Sequence, residues 1–501
     1  MTRGLLPGIL LAALIALLLR WPGLEQRPFH NDEAVNAVKF GQLWNGDGYR
    51  YDPNEHHGPV LAYATCAWAG ATGGGPLSGF TEARFRQLTA LFGVALILLL
   101  PLLADGLGAA AAFWSACLLA VSPAMVFYSR DYIHEMLLAF FTFLALAAAW
   151  RYSCTRGIGW AILAGAAAGL AQATKETFVL AGIAAAVAWL LNRFCESRIY
   201  PAQAAGRRRL NRRHLAAGLV SGLVAAGVLY SSFFQHRAGI IDAFRAFDPW
   251  IHRAEGASPH VHPVGFYFSR LASGEGLVLL LGAAGGWFCL AGRRPRCSHA
   301  GFLRFLAFYT AILTLIYCAI PYKTPWCLVQ FYLGWVLLAG IGATALLERI
   351  PGRALKILAT VALGAGVLQL AARSRRAALS EDLRRNPYAY AETSPDVREL
   401  VAAVERVAAA APQPAEVRIN VVAPADDYWP LPWYLGSFHE IGWWHDLPAD
   451  APAPIQILSL RLQNRPGDSA SNIIAGTFEL RPGNFFELQV ETNLWQSHLA
   501  R

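Results

Sequence analysis

Apolar runs of about 17–22 residues recur along this chain from Leu5 onward and stop near Ala371, and a helix needs about 20 such residues to cross a hydrocarbon core of roughly 30 Å. That repetition constrains the fold more than any motif does. Inside a bilayer each backbone N–H and C=O must be satisfied within its own segment, so runs of this length read as helices. The chain has 501 residues, 55% of them hydrophobic and 15% charged, which is too apolar for a soluble multidomain protein. The excess is uneven, because Arg373 to Arg501 has the composition of an ordinary water-exposed domain. The expected fold is mainly α: a polytopic membrane helix bundle of about eleven spans, residues 1–372, followed by a small external α/β domain, residues 373–501.

The spans are expected to start near Leu5, Arg86, Gly108, Glu135, Gly157, Thr177, Leu215, Gly274, Gly301, Trp326 and Ala354. The first is followed by Arg20-Trp21-Pro22-Gly23 and not by a small-residue cleavage site, so it reads as a retained signal anchor. Basic residues favour cytoplasmic loops. The loop from Arg193 to Arg213 carries seven arginines against the single acid Glu196, and "GRRPRC" and "ERIPGRALK" are basic too. Placing all three inside puts the N-terminus in the cytoplasm and the C-terminal domain in the periplasm or outside the cell, with the chain in the inner (plasma) membrane. These loops account for the formal charge of +9, so no nucleic-acid partner is expected. The eight cysteines form no CxxC pair and no disulfide framework.

With that orientation the polar clusters collect on the external face. Two amphipathic stretches, Asp32 to Trp44 and Gly58 to Gly70, read as interfacial helices, separated by the turn-rich "GDGYRYDPNEHHGP". In the tail, Ser394-Pro395 opens a helix reaching about Ala411. "EVRINVVAP", "PIQILSL" and "FFELQVE" read as strands, and "WPLPWYLGSF" as a short aromatic helix.

Four clusters could carry chemistry. His30, Asp32 and Glu33 follow the first span. An ionisable residue at a membrane boundary is a functional candidate, and a carboxylate there can take a proton from an incoming hydroxyl or amine. The plainer reading is a helix start, where acids favour the dipole. In "NEHHGP", His56 and His57 with Glu55 could bind a divalent metal along with His30 and a carboxylate such as Glu33, or could simply be loop polarity. "YSRDYIHE" holds Arg130, Asp131, His134 and Glu135. Arg130 could grip a phosphate with its planar fork, or pair with Glu135 at the helix ends. Lys175, beside Glu176, and Lys323 sit at span ends, where a lysine commonly snorkels. If Arg130, Lys175 and Lys323 converged on one vestibule, they would suit a lipid phosphate headgroup.

Taken in order, "HNDEA", "YRYDPNEHHGP", "YSRDYIHE", "TKET" and "PYKTPW", with "NPYAYAETSPDV" and "DDYWPLPWYL" in the tail, resemble the protein-O-mannosyltransferase-like group of GT-C glycosyltransferases. The nearest resemblance is to the branch called flippase-activity-associated proteins, and it runs over nearly the whole chain. The resemblance implies transfer of a sugar from a polyprenyl phosphate to a lipid, protein or glycan acceptor on the external face. It implies Asp32 as the catalytic carboxylate of the first external loop, with its neighbour Glu33 assisting, and the Arg130–Glu135 turn in acceptor or donor-phosphate contacts; Lys175 and Lys323 are read from their charge and position as joining Arg130 on the donor phosphate. Asp131, His134, Glu135 and His57 would support the acceptor. Asp32 is expected to face a cavity shared with the three cations. One rival is a non-catalytic partner that flips or hands on a lipid-linked sugar, keeping the cations and tolerating loss of Asp32. A transporter is a second rival, disfavoured by scarce midplane charge and the lack of paired broken helices.

Overall fold

The computed structural model describes residues 4–54, 57–199, 211–249, 252, 260–380, 383, 385–448, 452–462 and 472–501. The chain is mainly helical. Among the described residues eight helices are long and apolar enough to cross a membrane: Glu82–Leu107, Glu135–Thr155, Phe178–Arg198, Arg212–Tyr230, Phe266–Leu290, Ala300–Ala319, Pro325–Arg349 and Arg353–Leu379. Four apolar helices are shorter: Leu5–Arg20, Val60–Ala71, Ala109–Val121 and Ile158–Gln172. All eleven expected spans are among these twelve, and Val60–Ala71 is the second of the stretches expected at the interface.

One span begins earlier than its hydropathy suggests. Gly274 was the expected start, whereas the helix begins at Phe266 and carries Arg270 and Glu275 within it. The backbone leaves helical geometry at Glu275 (φ −119°, ψ 21°). The Glu275 carboxylate accepts from Ser122 Oγ at 2.6 Å and from the Ala124 amide at 2.8 Å. It therefore caps the short helix Pro123–Tyr128, whose first-turn amides have no partner inside that helix.

Contacts divide the chain into two compact units. The first comprises Met1–Leu24, Asp47–Thr72 and Arg86–Tyr388 and contains most of the apolar helices. Close helix packing there rests on small residues. Ile158–Gln172 and Arg212–Tyr230 each present a G-x-x-x-G face, Gly165/Gly169 against Gly218/Gly222. A Cβ on Gly169 would lie 2.2 Å from the Gly222 carbonyl oxygen, and one on Gly165 would lie 1.8 Å from that of Gly218. Only a missing side chain lets the backbones approach this closely.

The second unit joins Glu25–Gly46 and Gly73–Phe85 to Ala389–Arg501. Its sheet has five strands, β1 (Ile419–Val422), β2 (Ile441–Trp444), β3 (Ile455–Ser459), β4 (Asn472–Arg481) and β5 (Asn484–Glu491), in the order β2-β1-β3-β5-β4. β1 runs parallel to β2 and β3, while β5 is antiparallel to β3 and β4. The helix Asp396–Ala408 buries Val397, Leu400, Val401, Val404 and Val407 with the strand residues Ile419, Val421, Ile455, Ile457, Phe486 and Leu488, as the three-and-four spacing of its apolar positions requires. β1, β3 and β5 lie in the expected strands. β2, β4 and the terminal helix Thr492–Leu499 are additions to the expected set.

Candidate functional site

The first-loop carboxylates lie in the second unit. Asn31–Trp44 is helical, with His30 as its N-cap. His30 Nδ1 accepts from the Asp32 amide at 3.2 Å, and Glu33 Oε2 accepts from the His30 amide at 2.9 Å. This is a capping box with an imidazole in place of the usual hydroxyl. Glu33 is 1% exposed and faces back into the cap. Asp32, one residue earlier and about 100° round the helix, is exposed. Its carboxylate makes no hydrogen bond or ion pair with any described residue.

The segment ahead of this helix is held firmly. The Phe29 amide donates to Tyr434 Oη at 2.7 Å, and its carbonyl accepts from Thr393 Oγ1 at 2.7 Å. Its ring packs edge-on against Phe85 and Trp433. Tyr434 in turn donates to Glu82, which also pairs with Arg398 at 2.9 Å. The "WPLPWYL" segment thus anchors the entry to the Asp32 helix within one unit.

Four of the other candidates, His57, His134, Glu135 and Lys175, form a largely buried ionic cluster with Glu176 in the first unit. The His57–Gly58 turn lies against the Ala173–Thr177 turn so closely that a Cβ on Gly58 would be 2.2 Å from the Ala173 carbonyl oxygen. Val60 N donates to that same oxygen at 3.1 Å. His57 Nδ1 lies 3.1 Å from the Glu176 carboxylate, and Lys175 Nζ lies 2.5 Å from Glu135 Oε1. His134 bonds the Gly58 carbonyl through Nε2 at 3.2 Å, and its ring stands edge-on to His57.

Burial would raise the Glu176 carboxyl. The His57 charge and hydrogen bond, with Lys175 behind them, outweigh it and push the group down to about 2. Burial would lower the Lys175 ammonium, but Glu135 overrides it and holds the group above the usual lysine range. Burial, His57 and Lys175 together keep His134 well below the ordinary imidazole range. It is therefore neutral, and its ring N–H donates to Gly58.

The three expected phosphate cations have three separate sets of partners. Lys175 has Glu135. Arg130, 1% exposed, donates from Nη1 to the carbonyls of Arg20 (2.8 Å) and Pro22 (2.6 Å), and from Nη2 to that of Gly23 (2.9 Å). It closes the C-terminal end of Leu5–Arg20, where carbonyls lack helical partners. Lys323 Nζ donates to the carbonyls of His262 (2.9 Å) and Ile320 (2.5 Å). Asp131 is buried next to Arg130 in sequence, and its carbonyl accepts from the Ile133 amide at 2.9 Å. The alternative pairing of Arg130 with Glu135 is replaced by the Lys175–Glu135 pair.

For a metal, Glu55 and His56 lie outside the described residues, and Glu33 is engaged by the His30 amide. Among the described residues no three His, Cys, Asp or Glu side chains come together as a metal set. Sequence reasoning passed over two acids. Glu176 carries no expected role beyond its place beside Lys175, and Glu275, one residue after an expected span start, carries none.

Three comparisons bear on this arrangement. Residues 57–206 match the dolichyl-phosphate-mannose-protein mannosyltransferase family model, which takes in His57, the Arg130–Glu135 turn and Lys175–Glu176. The structure is similar to that of ArnT from Cupriavidus metallidurans bound to undecaprenyl phosphate, at 18% identity and a TM-score of 0.63, over 96% of this chain and 97% of that one. The chain has the GT-C fold. The same GT-C architecture is similar to the apo oligosaccharyltransferase of Archaeoglobus fulgidus, at 12% identity and a TM-score of 0.60, over 87% of this chain and 64% of that longer one. Among curated proteins, none matches the chain.

Proposed function

We propose that this protein is a membrane glycosyltransferase that moves a sugar from a polyprenyl-phosphate donor to an acceptor on the external face of the membrane. The observation that carries the reading is the Asp32 carboxylate, exposed and unpaired among the described residues at the first turn of a helix whose other first-turn acid is locked in its cap. A general base must be reachable and free to take a proton. Asp32 meets that need and Glu33 does not. The GT-C fold and the family match over the cluster of His57, Arg130–Glu135 and Lys175–Glu176 support the same reaction class.

In the reaction the acceptor oxygen attacks the anomeric carbon, and the bond from that carbon to the phosphate oxygen breaks. The acceptor proton passes to Asp32, and polyprenyl phosphate leaves with the bonding pair. Of the three cations we assign Lys175 to the leaving phosphate, because its partner Glu135 is a side chain that can turn away. Arg130 and Lys323 are bonded to main-chain carbonyls, and we assign them to holding the fold. Glu33 places the helix.

The test is transfer by the purified protein in proteoliposomes from undecaprenyl-phosphate-linked sugars. Asp32→Asn keeps the size and much of the polarity but cannot accept the proton. A general base typically supplies 10²–10⁴-fold, so transfer should fall by at least about two orders of magnitude with expression and melting temperature unchanged. Transfer by Asp32→Asn at the wild-type rate would refute the reading and favour the non-catalytic handover partner.

A further inference from the structure

Outside the ionic cluster the first unit contains a second polar site that the mechanism does not use. The Gly46–Asn54 loop and the stretch after Tyr230 are locked together. Ser232 Oγ donates to the Tyr49 carbonyl at 2.6 Å, Tyr51 packs edge-on to Tyr230, and Tyr63 packs edge-on to Phe233. To make this turn, Ser232, Phe233 and Phe234 all adopt positive φ (51°, 56° and 69°), a region that bulky L-residues rarely enter. Such strain persists only where surrounding structure enforces it. Between the two segments lies a cavity of about 680 Å³ lined by Arg50, Asp52, His236, Asp242, Arg245 and Asp248, with Tyr51 in its wall. The volume is within the usual range for a small-molecule site.

The lining excludes several ligand classes. Charged groups dominate it, which disfavours an acyl or prenyl chain. Three carboxylates stand against two guanidiniums, which disfavours a phosphate. The groups are also pre-positioned: Asp242 Oδ1 holds Arg245 Nη1 at 3.2 Å, and Asp52 Oδ1 accepts the Asn54 amide at 2.9 Å. Tyr51 forms the closed back of the wall: it is 3% exposed and its hydroxyl is sealed from solvent, so the groups within reach of a ligand are the charged ones. Alternating carboxylate acceptors and guanidinium donors match a molecule whose neighbouring groups each donate and accept, as the hydroxyls of a sugar do.

We propose that this cavity binds an uncharged saccharide and, resting on the transfer reading for this second part, that it holds the glycan acceptor. The test uses the full chain in nanodiscs, with mannobiose, maltose and chitobiose as probes followed by saturation-transfer NMR, and with inorganic phosphate as competitor. At least one disaccharide should bind with a Kd of roughly 1 mM or tighter. Asp242→Asn and Arg245→Met should each weaken it about tenfold or more, while melting temperature and undecaprenyl phosphate binding stay unchanged. In the transfer assay these variants should raise KM for the acceptor and leave kcat in place. Failure of all three probes to bind, displacement by phosphate, or unchanged binding in both variants would overturn the site. Should transfer never be detected while disaccharide binding persists and depends on Asp242, the transfer reading falls and the saccharide site stands. Should transfer proceed with KM unmoved in both variants, the acceptor assignment falls and the transferase reading stands.

Discussion

Arg130→Ala separates two roles for one cation that residue type alone does not distinguish. In the structure its guanidinium serves three carbonyls at and beyond the end of the first helix. Hydrogen bonds from a charged donor contribute about 1.5–3 kcal/mol each, and a buried acceptor left unsatisfied costs about 1–3 kcal/mol. The three are not additive, since they share one group and one backbone turn. Some of the freed carbonyls also recover partners by local relaxation. A net loss of about 3–5 kcal/mol follows, below the sum of three independent bonds. For a unit of this size that lowers the melting temperature by roughly 5–15 °C. Arg130→Lys keeps the charge and one or two of the bonds, so it should fall between. The assay is thermal unfolding in nanodiscs, paired with undecaprenyl phosphate binding by the fraction that remains folded. The expected result is a large loss of stability with binding per folded molecule nearly unchanged. If Arg130→Ala instead melts like the wild type and loses lipid binding, the guanidinium is a phosphate ligand and the assignment made here is wrong.

Two further outcomes test the packing around the candidate site. Glu176, folded at about 2 against roughly 4.3 unfolded, contributes stability that is complete above the unfolded value and is lost as pH falls through the folded one, a contribution of order 3 kcal/mol. His57→Ala removes the strongest influence lowering that carboxyl, so the variant should melt earlier at neutral pH and lose less further stability than the wild type as pH falls below the unfolded value; melting curves identical to the wild type's at every pH from 7 to 3 would refute the pairing. Gly169→Ala places a Cβ 2.2 Å from the Gly222 carbonyl and should cost about 1–3 kcal/mol by forcing two helices apart, whereas Gly227→Ala, with no atom within 4 Å of the new Cβ, should be neutral or slightly stabilising; equal melting temperatures for the two would argue against the close crossing.

The bundle was legible in sequence because a membrane helix is specified by length and apolarity, and both can be read along the chain. Legibility failed where a charge inside a span has its partner elsewhere. Glu275 interrupts the apolar run after Phe266, and nothing nearby reveals that Ser122 and the Ala124 amide will satisfy it. The sheet follows the same division. Alternating β-branched runs exposed β1, β3 and β5. β2 is four residues of an aromatic edge strand, and β4 changes register between Ile474 and Gly476, so its alternation breaks where a reader would look for it.

The site shows most clearly what a one-dimensional pattern omits. Ionisable residues in a greasy chain are easy to find, and Asp32, Glu33, Arg130, Lys175 and Lys323 were all found. Their availability is a different property, because it depends on which acceptors three-dimensional folding delivers to each. Asp32 and Glu33 are adjacent and chemically near-identical, yet the helix turns about 100° between them. One carboxylate closes the cap on His30, and the other is left exposed. The same holds for the cations, which look interchangeable as span-end charges. Arg130 and Lys323 are bonded to main-chain carbonyls, which are part of the fold and do not rotate away, whereas Lys175 is held by a carboxylate on a rotatable side chain. A group can enter a reaction only if its resting partner can be exchanged for the substrate. In the proposed reaction that condition, more than charge or position along the chain, is the ground for choosing Asp32 and Lys175 from the candidates.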